Sequence, residues 1–111
     1  MLPVYNLVVD ITTMDTTIEE EEFRELISPC LTYLDALKGA FDRKPCAVVF
    51  FPPENQDECP KGWSVRCVLM ISVGKKRAEY LMQLYQAIVY LIGFELPDLE
   101  VRAESSQFQF S

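Results

Sequence analysis

The chain of 111 residues contains no histidine, and its 17 acidic residues outnumber its 10 basic ones. Without histidine, the sequence lacks the commonest general base at neutral pH and the commonest zinc ligand. The net charge of −7 also argues against nucleic acid as a partner, because phosphate backbones bind to basic surfaces. The sequence therefore predicts neither a histidine-based active site nor a nucleic-acid interface.

Leader-like and membrane-spanning segments are missing too. No apolar run reaches the roughly 18 residues that a membrane-spanning helix needs. The first ten residues carry Asn6 and Asp10 and no basic segment, unlike a secretory signal peptide. We therefore expect a cytoplasmic protein without a membrane partner, with secretion without a signal peptide as the alternative.

The spacing of the cysteines predicts no metal site. Cys30, Cys46 and Cys67 lie in apolar segments and are expected to be buried thiols. Cys59 lies in a polar loop and is the one candidate for reactivity, with an ordinary exposed thiol as the alternative. Because GxGxxG, Walker and HExxH motifs are also missing, we expect no cofactor.

The stretch from Trp63 to Lys75 organises the rest of the chain. Its odd positions are all apolar up to Val73, and alternation with a period of two predicts a β-strand. Val68 and Met70 are apolar on the second face, as expected of a strand in the centre of its sheet. The pattern ends at Gly74.

Apolar patterns predict five further elements. The predicted strands are Val4–Ile11, Cys46–Phe51 and a segment from Leu99, and the predicted helices are 19–39, capped by Thr16 or Thr17, and Lys75–Gly93, with Gly93 as a left-handed cap. Pro29 predicts a kink or break in the first helix, with Ser28 capping a second segment. A shift of the apolar phase towards Phe108 predicts a bulge or turn at Ser105–Ser106.

The predicted order is therefore β-α-β-β-α-β in a single domain, residues 1–111. Right-handed crossovers place two helices on one face of a four-stranded mixed sheet, an α+β two-layer sandwich. Several strands are apolar on both faces, so the second sheet face needs a cover. We expect self-association to supply that cover.

Short motifs between these elements carry a resemblance. Pro3 precedes the first strand, Lys44-Pro45 precedes the second, Val73-Gly74 follows the third, and Leu96-Pro97-Asp98 leads into the last. In order and spacing the chain resembles macrophage migration inhibitory factor and the wider tautomerase superfamily. The resemblance implies two β-α-β units in each subunit and a homotrimer around a central channel, so the predicted fold is ferredoxin-like or tautomerase-like.

The resemblance also implies a set of site residues. In that family an N-terminal proline is the catalytic base, and the matching pocket candidates here are Pro3, Lys44, Val73, Gly74 and Phe110. Pro3, however, lies behind Met1-Leu2, where it is an internal amide without the basicity of an amine. We therefore expect no catalytic residue, with Pro3 as the exception only if the chain is trimmed to begin there.

Three functions follow as hypotheses. The leading one is a divergent protein like macrophage migration inhibitory factor, without tautomerase activity, that acts through protein–protein contacts and is either cytokine-like or intracellular. The alternatives are an active keto–enol tautomerase (an isomerase) after trimming to Pro3, and an acidic ferredoxin-like interaction module or inhibitor. Lys75-Lys76-Arg77 at a helix N-terminus could hold an anion, although solvent-exposed basic side chains are the preferred explanation of this run.

Overall fold

The computed structural model describes residues 2–41, 46–54 and 61–108. Its elements are β1 (Val4–Thr13), α1 (Glu20–Ala40), β2 (Cys46–Phe51), β3 (Ser64–Ser72), α2 (Lys75–Glu95) and β4 (Leu99–Phe108). The predicted β-α-β-β-α-β order and the α+β two-layer class are thereby confirmed.

The four strands form one sheet in the order β2-β3-β1-β4, and every neighbouring pair is antiparallel. The predicted mixed sheet is wrong in this respect. β1 and β2 do run parallel, as a right-handed crossover requires, but β3 lies between them and pairs with both. The topology is the split β-α-β arrangement of ferredoxin-like folds.

The core lies between the two helices and one face of the sheet. Its centre is formed by Leu7, Val9 and Ile11 of β1 and by Val65, Cys67, Leu69 and Ile71 of β3. Phe23, Ile27 and Leu34 of α1 and Leu81 and Ile92 of α2 pack on these strands from above. The odd-position alternation in β3 therefore identified the helix-facing side correctly. Cys30 and Cys67 are buried as predicted, whereas Cys59 and the side chain of Cys46 lie outside the described residues.

Helix α1 runs without a break through Pro29, so the predicted break with a cap at Ser28 is wrong, whereas the alternative of a kink stays a prediction. Buried residues on both sides of the proline, Phe23, Ile27, Cys30 and Leu34, anchor both halves to the sheet, and this packing outweighs one missing backbone donor. The N-cap is Glu19, and Thr17 donates instead to Asp15 Oδ1, from N at 2.9 Å and from Oγ1 at 2.6 Å.

Two predicted interruptions near the C-terminus are also absent from the described residues. Helix α2 continues through Gly93 to Glu95, and the Leu96 N–H donates to the Ile92 carbonyl at 3.0 Å. Strand β4 pairs with β1 in unbroken register from Leu99 to Phe108, without a bulge. In this register the even positions of β4 face away from the helices. The change from apolar odd positions to apolar Phe108 therefore moves the apolar residues to the other sheet face, and no residue is inserted.

Candidate functional site

The sheet face turned away from the helices carries no cover among the described residues, and we call it the open face. The strand registers place the even-numbered residues of β1, β3 and β4 on this face, together with the odd-numbered residues of β2. Among them are Val8, Asp10, Val49, Arg66, Val68, Met70, Glu100, Arg102 and Glu104.

The centre of the open face is apolar. Val68 is half-buried between Val8 of β1 and Ala47 of β2, its register partners. Met70 and Val49 are exposed, at 37% and 45% of their surface. Val68 and Met70 thus share the sheet face opposite the core, as predicted. That this face is buried or an interface stays a prediction, because its apolar area is in contact with solvent in the single chain.

Ion pairs border this apolar centre at one end of the sheet. Arg66 Nε lies 2.8 Å from Asp10 Oδ1, and Arg66 Nη2 lies 3.0 Å from Asp10 Oδ2. This two-point hydrogen bond raises the pKa of Arg66 further above its ordinary value. Arg102 forms a second pair, with Nη2 2.8 Å from Glu100 Oε1.

These pairs line a shallow cavity of about 410 Å³, which Glu54 and Lys61 also line. Three cations (Arg66, Arg102 and Lys61) and three anions (Asp10, Glu54 and Glu100) line it. Because both arginines already bind carboxylates, the cavity has little excess positive charge to attract a phosphate.

The structure places three of the five predicted pocket residues at one end of the sheet. Val4 pairs with Ser72, so Pro3, which precedes Val4, and Val73, which follows Ser72, lie at the same end of the sheet. Gly74 is the N-cap of α2. Val73 is buried in the core, with 4% of its surface exposed. A Cβ at Gly74 would lie 3.9 Å from Leu2 Cδ2, so Leu2 already occupies the space beside it. The other two pocket candidates, Lys44 and Phe110, lie outside the described residues.

The basic run at the start of α2 has a structural role in part. Arg77 Nη2 donates to the Ala40 carbonyl at 3.1 Å, and its guanidinium carbon lies 5.1 Å from the centre of the Phe41 ring. Arg77 therefore satisfies a carbonyl at the end of α1 and joins the two helices. Only Lys75 and Lys76 remain directed to solvent, which favours the solvent-exposed alternative over an anion site.

Two buried groups between the helices and the sheet have shifted pKa values. Burial, with a further contribution from Glu95, raises the pKa of the Cys30 thiol to about 11. Burial also raises the pKa of Tyr85 to about 12, and its hydroxyl lies 2.8 Å from the Val8 carbonyl oxygen and 3.0 Å from that of Glu104. Both groups are held in their protonated forms, the opposite of what an activated nucleophile or base needs.

A second surface is the groove between α2 and the edge strand β4. The sequence predicts that the surplus apolar residues of α2 are either deep core or a contact with another subunit, but it does not place them beside β4. Two adjoining hollows of about 380 and 360 Å³ form this groove, and we call them together the edge groove. It is lined by Val89, Tyr90 and Phe94 of α2 and by Val101, Ala103 and Ser105 of β4. The signal was the C-terminal half of α2, which is apolar nearly all round, but periodicity alone could not tell deep core from exposed surface.

Within the described part of the chain, no helix is long and apolar enough to cross a membrane. The same residues contain no group of three or more histidine, cysteine, aspartate or glutamate side chains close enough to hold a metal ion.

Comparison with known proteins supports the fold class. No family model and no curated protein matches the sequence. The designed protein Foldit4 superposes with a TM-score of 0.50 at 16% identity, over 96% of this chain and 99% of that one. A putative amidohydrolase/peptidase from Burkholderia cenocepacia superposes with a TM-score of 0.50 at 12% identity. The superposition covers 96% of this chain but only 28% of the length of the Burkholderia protein. A dimeric ferredoxin-like protein of unknown function from Thermobifida fusca gives 0.40 at 12% identity, over 96% of this chain and 92% of that one.

These identities are too low to carry a function, and the two superpositions with a TM-score of 0.50 show the fold alone. The strand order and the two helices on one face define a small α+β protein of the ferredoxin-like class.

Proposed function

We propose that this protein is a non-catalytic protein-binding module and that its open face is the contact surface. The observation that carries the proposal is an uncovered sheet face whose apolar centre, around Val68 and Met70, is bordered by the ion pairs of Arg66 and Arg102. An apolar centre with a polar rim is the usual composition of a protein interface.

The shape and charge of the open face favour a protein over a small anionic ligand. Its cavity is shallow, and the cations that line it are matched by an equal number of carboxylates. A flat, charge-balanced surface offers little to a phosphate but is complementary to another folded surface with alternating charge. The overall charge of −7 would favour partners that carry basic residues.

The described residues also give no support to catalysis on this face. The groups with strongly raised pKa values, Cys30 and Tyr85, lie on the opposite side of the sheet, beneath the helices. Arg66 and Arg102 bind Asp10 and Glu100 and so are held by structural ion pairs. Buried side-chain nitrogen and oxygen atoms of the described chain all have hydrogen-bond partners, so none of them is poised for a ligand.

The more specific hypothesis, a protein like macrophage migration inhibitory factor, has less support than the general one of a protein-binding module. The order of its elements is shared by ferredoxin-like folds in general. Two simple β-α-β units would place their parallel strands side by side, whereas β3 separates β1 from β2 here. From that hypothesis we therefore retain the action through protein contacts, but not the homotrimer around a central channel.

An active tautomerase is a second candidate, favoured by one observation. Pro3, Val73 and Gly74 lie at the same end of the sheet, with Leu2 beside Gly74. A chain that begins at Pro3 would have a basic amine there and no Leu2 to fill the space. If this candidate is correct, the chain starting at Pro3 enolises phenylpyruvate faster than buffer does; our proposal predicts no difference.

Matched variants test the protein-binding proposal. Val49→Glu with Met70→Glu adds two charges to the exposed apolar centre, and Leu26→Glu adds one to an α1 side chain of similar exposure, 43%. Proteins recovered with each tagged full-length variant are compared by quantitative mass spectrometry. We expect the open-face variant to lose the partners that the wild type and Leu26→Glu retain. Equal recovery by all three would contradict the proposal.

A further inference from the structure

The edge groove combines two features that call for a partner. Tyr90 and Phe94 each expose 75% of their surface, although both lie beside the apolar Val89 and Val101. Strand β4 is ten residues long and is an edge of the sheet, with no pairing on its outer side among the described residues. A long exposed edge beside a large apolar area is the kind of surface onto which another strand adds.

The charges of β4 identify that strand. Glu100, Arg102 and Glu104 share the open face and alternate in sign along the strand. A second β4 in antiparallel orientation, centred on Ala103, places Arg102 of each copy opposite Glu104 of the other. Two opposite-charge pairs then lie on either side of the symmetry axis, and cross-strand pairs of this kind stabilise a sheet.

Other registers are poorer. Centring on Arg102 brings the two arginines face to face, and like charges directly opposite each other are destabilising. Centring on Val101 pairs the second half of β4 with Pro97 and the end of α2, where Pro97 has no N–H to donate. Centring on Glu104 pairs β4 over an equal length, from Glu100 opposite Phe108, but brings the two Glu104 carboxylates face to face. The register centred on Ala103 combines pairing along nearly the whole strand, from Leu99 opposite Gln107, with opposite charges at both pairs.

The same register also closes the edge groove. It would place Val101 of the second copy opposite Ser105 and would bring that copy's Phe94, which lines the same hollow as its Val101, towards the groove beside Ala103. By symmetry each groove would receive the aromatic residues of the other copy. A second copy of this chain therefore fits the edge groove.

We propose that two copies of this chain form a twofold dimer through antiparallel pairing of their β4 strands, centred on Ala103, with Tyr90 and Phe94 packed across the interface. The dimer contains one continuous eight-stranded sheet. Both open faces lie on the same side of it, because the twofold axis is perpendicular to the sheet. This dimer takes the place of the homotrimer expected from the sequence. It shares Arg102 with the rim of the open face but leaves the apolar centre around Val68 and Met70 uncovered, so the two proposals can fail separately.

Sedimentation velocity on the full chain tests the dimer. We expect a species of twice the 12.8 kDa mass of one chain at micromolar concentration. Arg102→Glu sets carboxylates opposite each other at both pairs, and we expect a monomer. The double variant Arg102→Glu with Glu104→Arg restores opposite charges at the same two pairs, and we expect the dimer to return. Lys76→Glu, with the same charge change on the exposed start of α2, remains a dimer.

A second variant addresses the groove without changing charge. Tyr90→Ser with Phe94→Ser removes two exposed rings, and we expect at least a tenfold weaker dimer. Circular dichroism confirms that each variant is folded. A monomeric or trimeric wild type, a dimer that survives Arg102→Glu, or a failure of the double charge variant to restore the dimer would each overturn the proposal.

Discussion

Arg66 of β3 and Asp10 of β1 face each other as direct register partners and form a two-point ion pair, with Nε to Oδ1 at 2.8 Å and Nη2 to Oδ2 at 3.0 Å. The pair is partly exposed on the open face, so solvent screens it. We expect a small favourable coupling in a double-mutant cycle of Asp10→Asn and Arg66→Gln, measured by urea unfolding. A coupling near zero would show that the pair is not formed in solution.

Leu69 and Met70 are neighbours in β3 that point to opposite faces of the sheet. Leu69 is fully buried against the helices, and Met70 exposes 37% of its surface. Leu69→Asp should unfold the protein or destabilise it by several kcal/mol, because a buried carboxylate there has no partner. Met70→Asp serves as the control, with an expected loss below about 1 kcal/mol. Similar losses for the two variants, compared by thermal unfolding, would show that the faces of β3 are wrongly assigned.

Gly62 packs closely against the end of β1. A Cβ at this position would overlap the Asp15 carbonyl oxygen and would lie 2.8 Å from Thr13 Cγ2. The Gly62 N–H also donates to the Thr13 carbonyl at 2.9 Å, which fixes the backbone there. We therefore expect Gly62→Ala to lower the free energy of unfolding by about 1–3 kcal/mol.

Gly39 provides the control for this prediction, because nothing lies within 4 Å of a Cβ placed there. Gly39→Ala, in the last turn of α1, should be neutral or stabilising by up to about 1 kcal/mol. If urea unfolding shows Gly62→Ala to be as harmless as Gly39→Ala, the close contact between Gly62 and β1 does not exist.

The pKa values of Cys30 and Tyr85 predict how stability depends on alkaline pH. Folding raises them from 9.0 to about 11 and from 10.0 to about 12. The folded state therefore favours the neutral forms of both groups. Their contribution to the free energy of unfolding is complete below pH 9.0 and is lost as the pH rises through about 12. The free energy of unfolding should fall across this interval.

Tyr85→Phe tests the tyrosine part of this effect. At neutral pH it should cost about 0.5–1.5 kcal/mol, because the hydrogen bonds to the Val8 and Glu104 carbonyls are lost. Above pH 10.0 its stability should fall less steeply than that of the wild type. Parallel alkaline slopes for Tyr85→Phe and the wild type would contradict this assignment.

The sequence predicted the elements well where a pattern is long. Eleven alternating residues identified β3 and its buried face, and the apolar run Cys46–Phe51 coincides with β2. It failed where a single residue suggested an interruption. At Pro29 and Gly93 the packing of the surrounding helix decided the outcome, and such tertiary contacts cannot be seen in local sequence.

Strand neighbours and surfaces were harder to predict. The insertion of β3 between β1 and β2 leaves no local signal, since the element order is the same in either topology. The ion pair of Asp10 and Arg66 joins residues 56 positions apart and depends on the register, which the sequence did not fix. The exposure of Tyr90 and Phe94 likewise follows from the position of α2 over β4.

The central claim is that the open face contacts another protein, and site-specific photo-crosslinking in the cells that make the protein tests it most directly. A photoreactive p-benzoylphenylalanine replaces Met70 on the open face or, as the control, Ala36 on the exposed side of α1. We expect position 70 to give a covalent adduct with a protein other than this chain, and position 36 to give none. The claim is contradicted if position 70 links only to a second copy of the chain, or if positions 70 and 36 give the same adducts in equal yield.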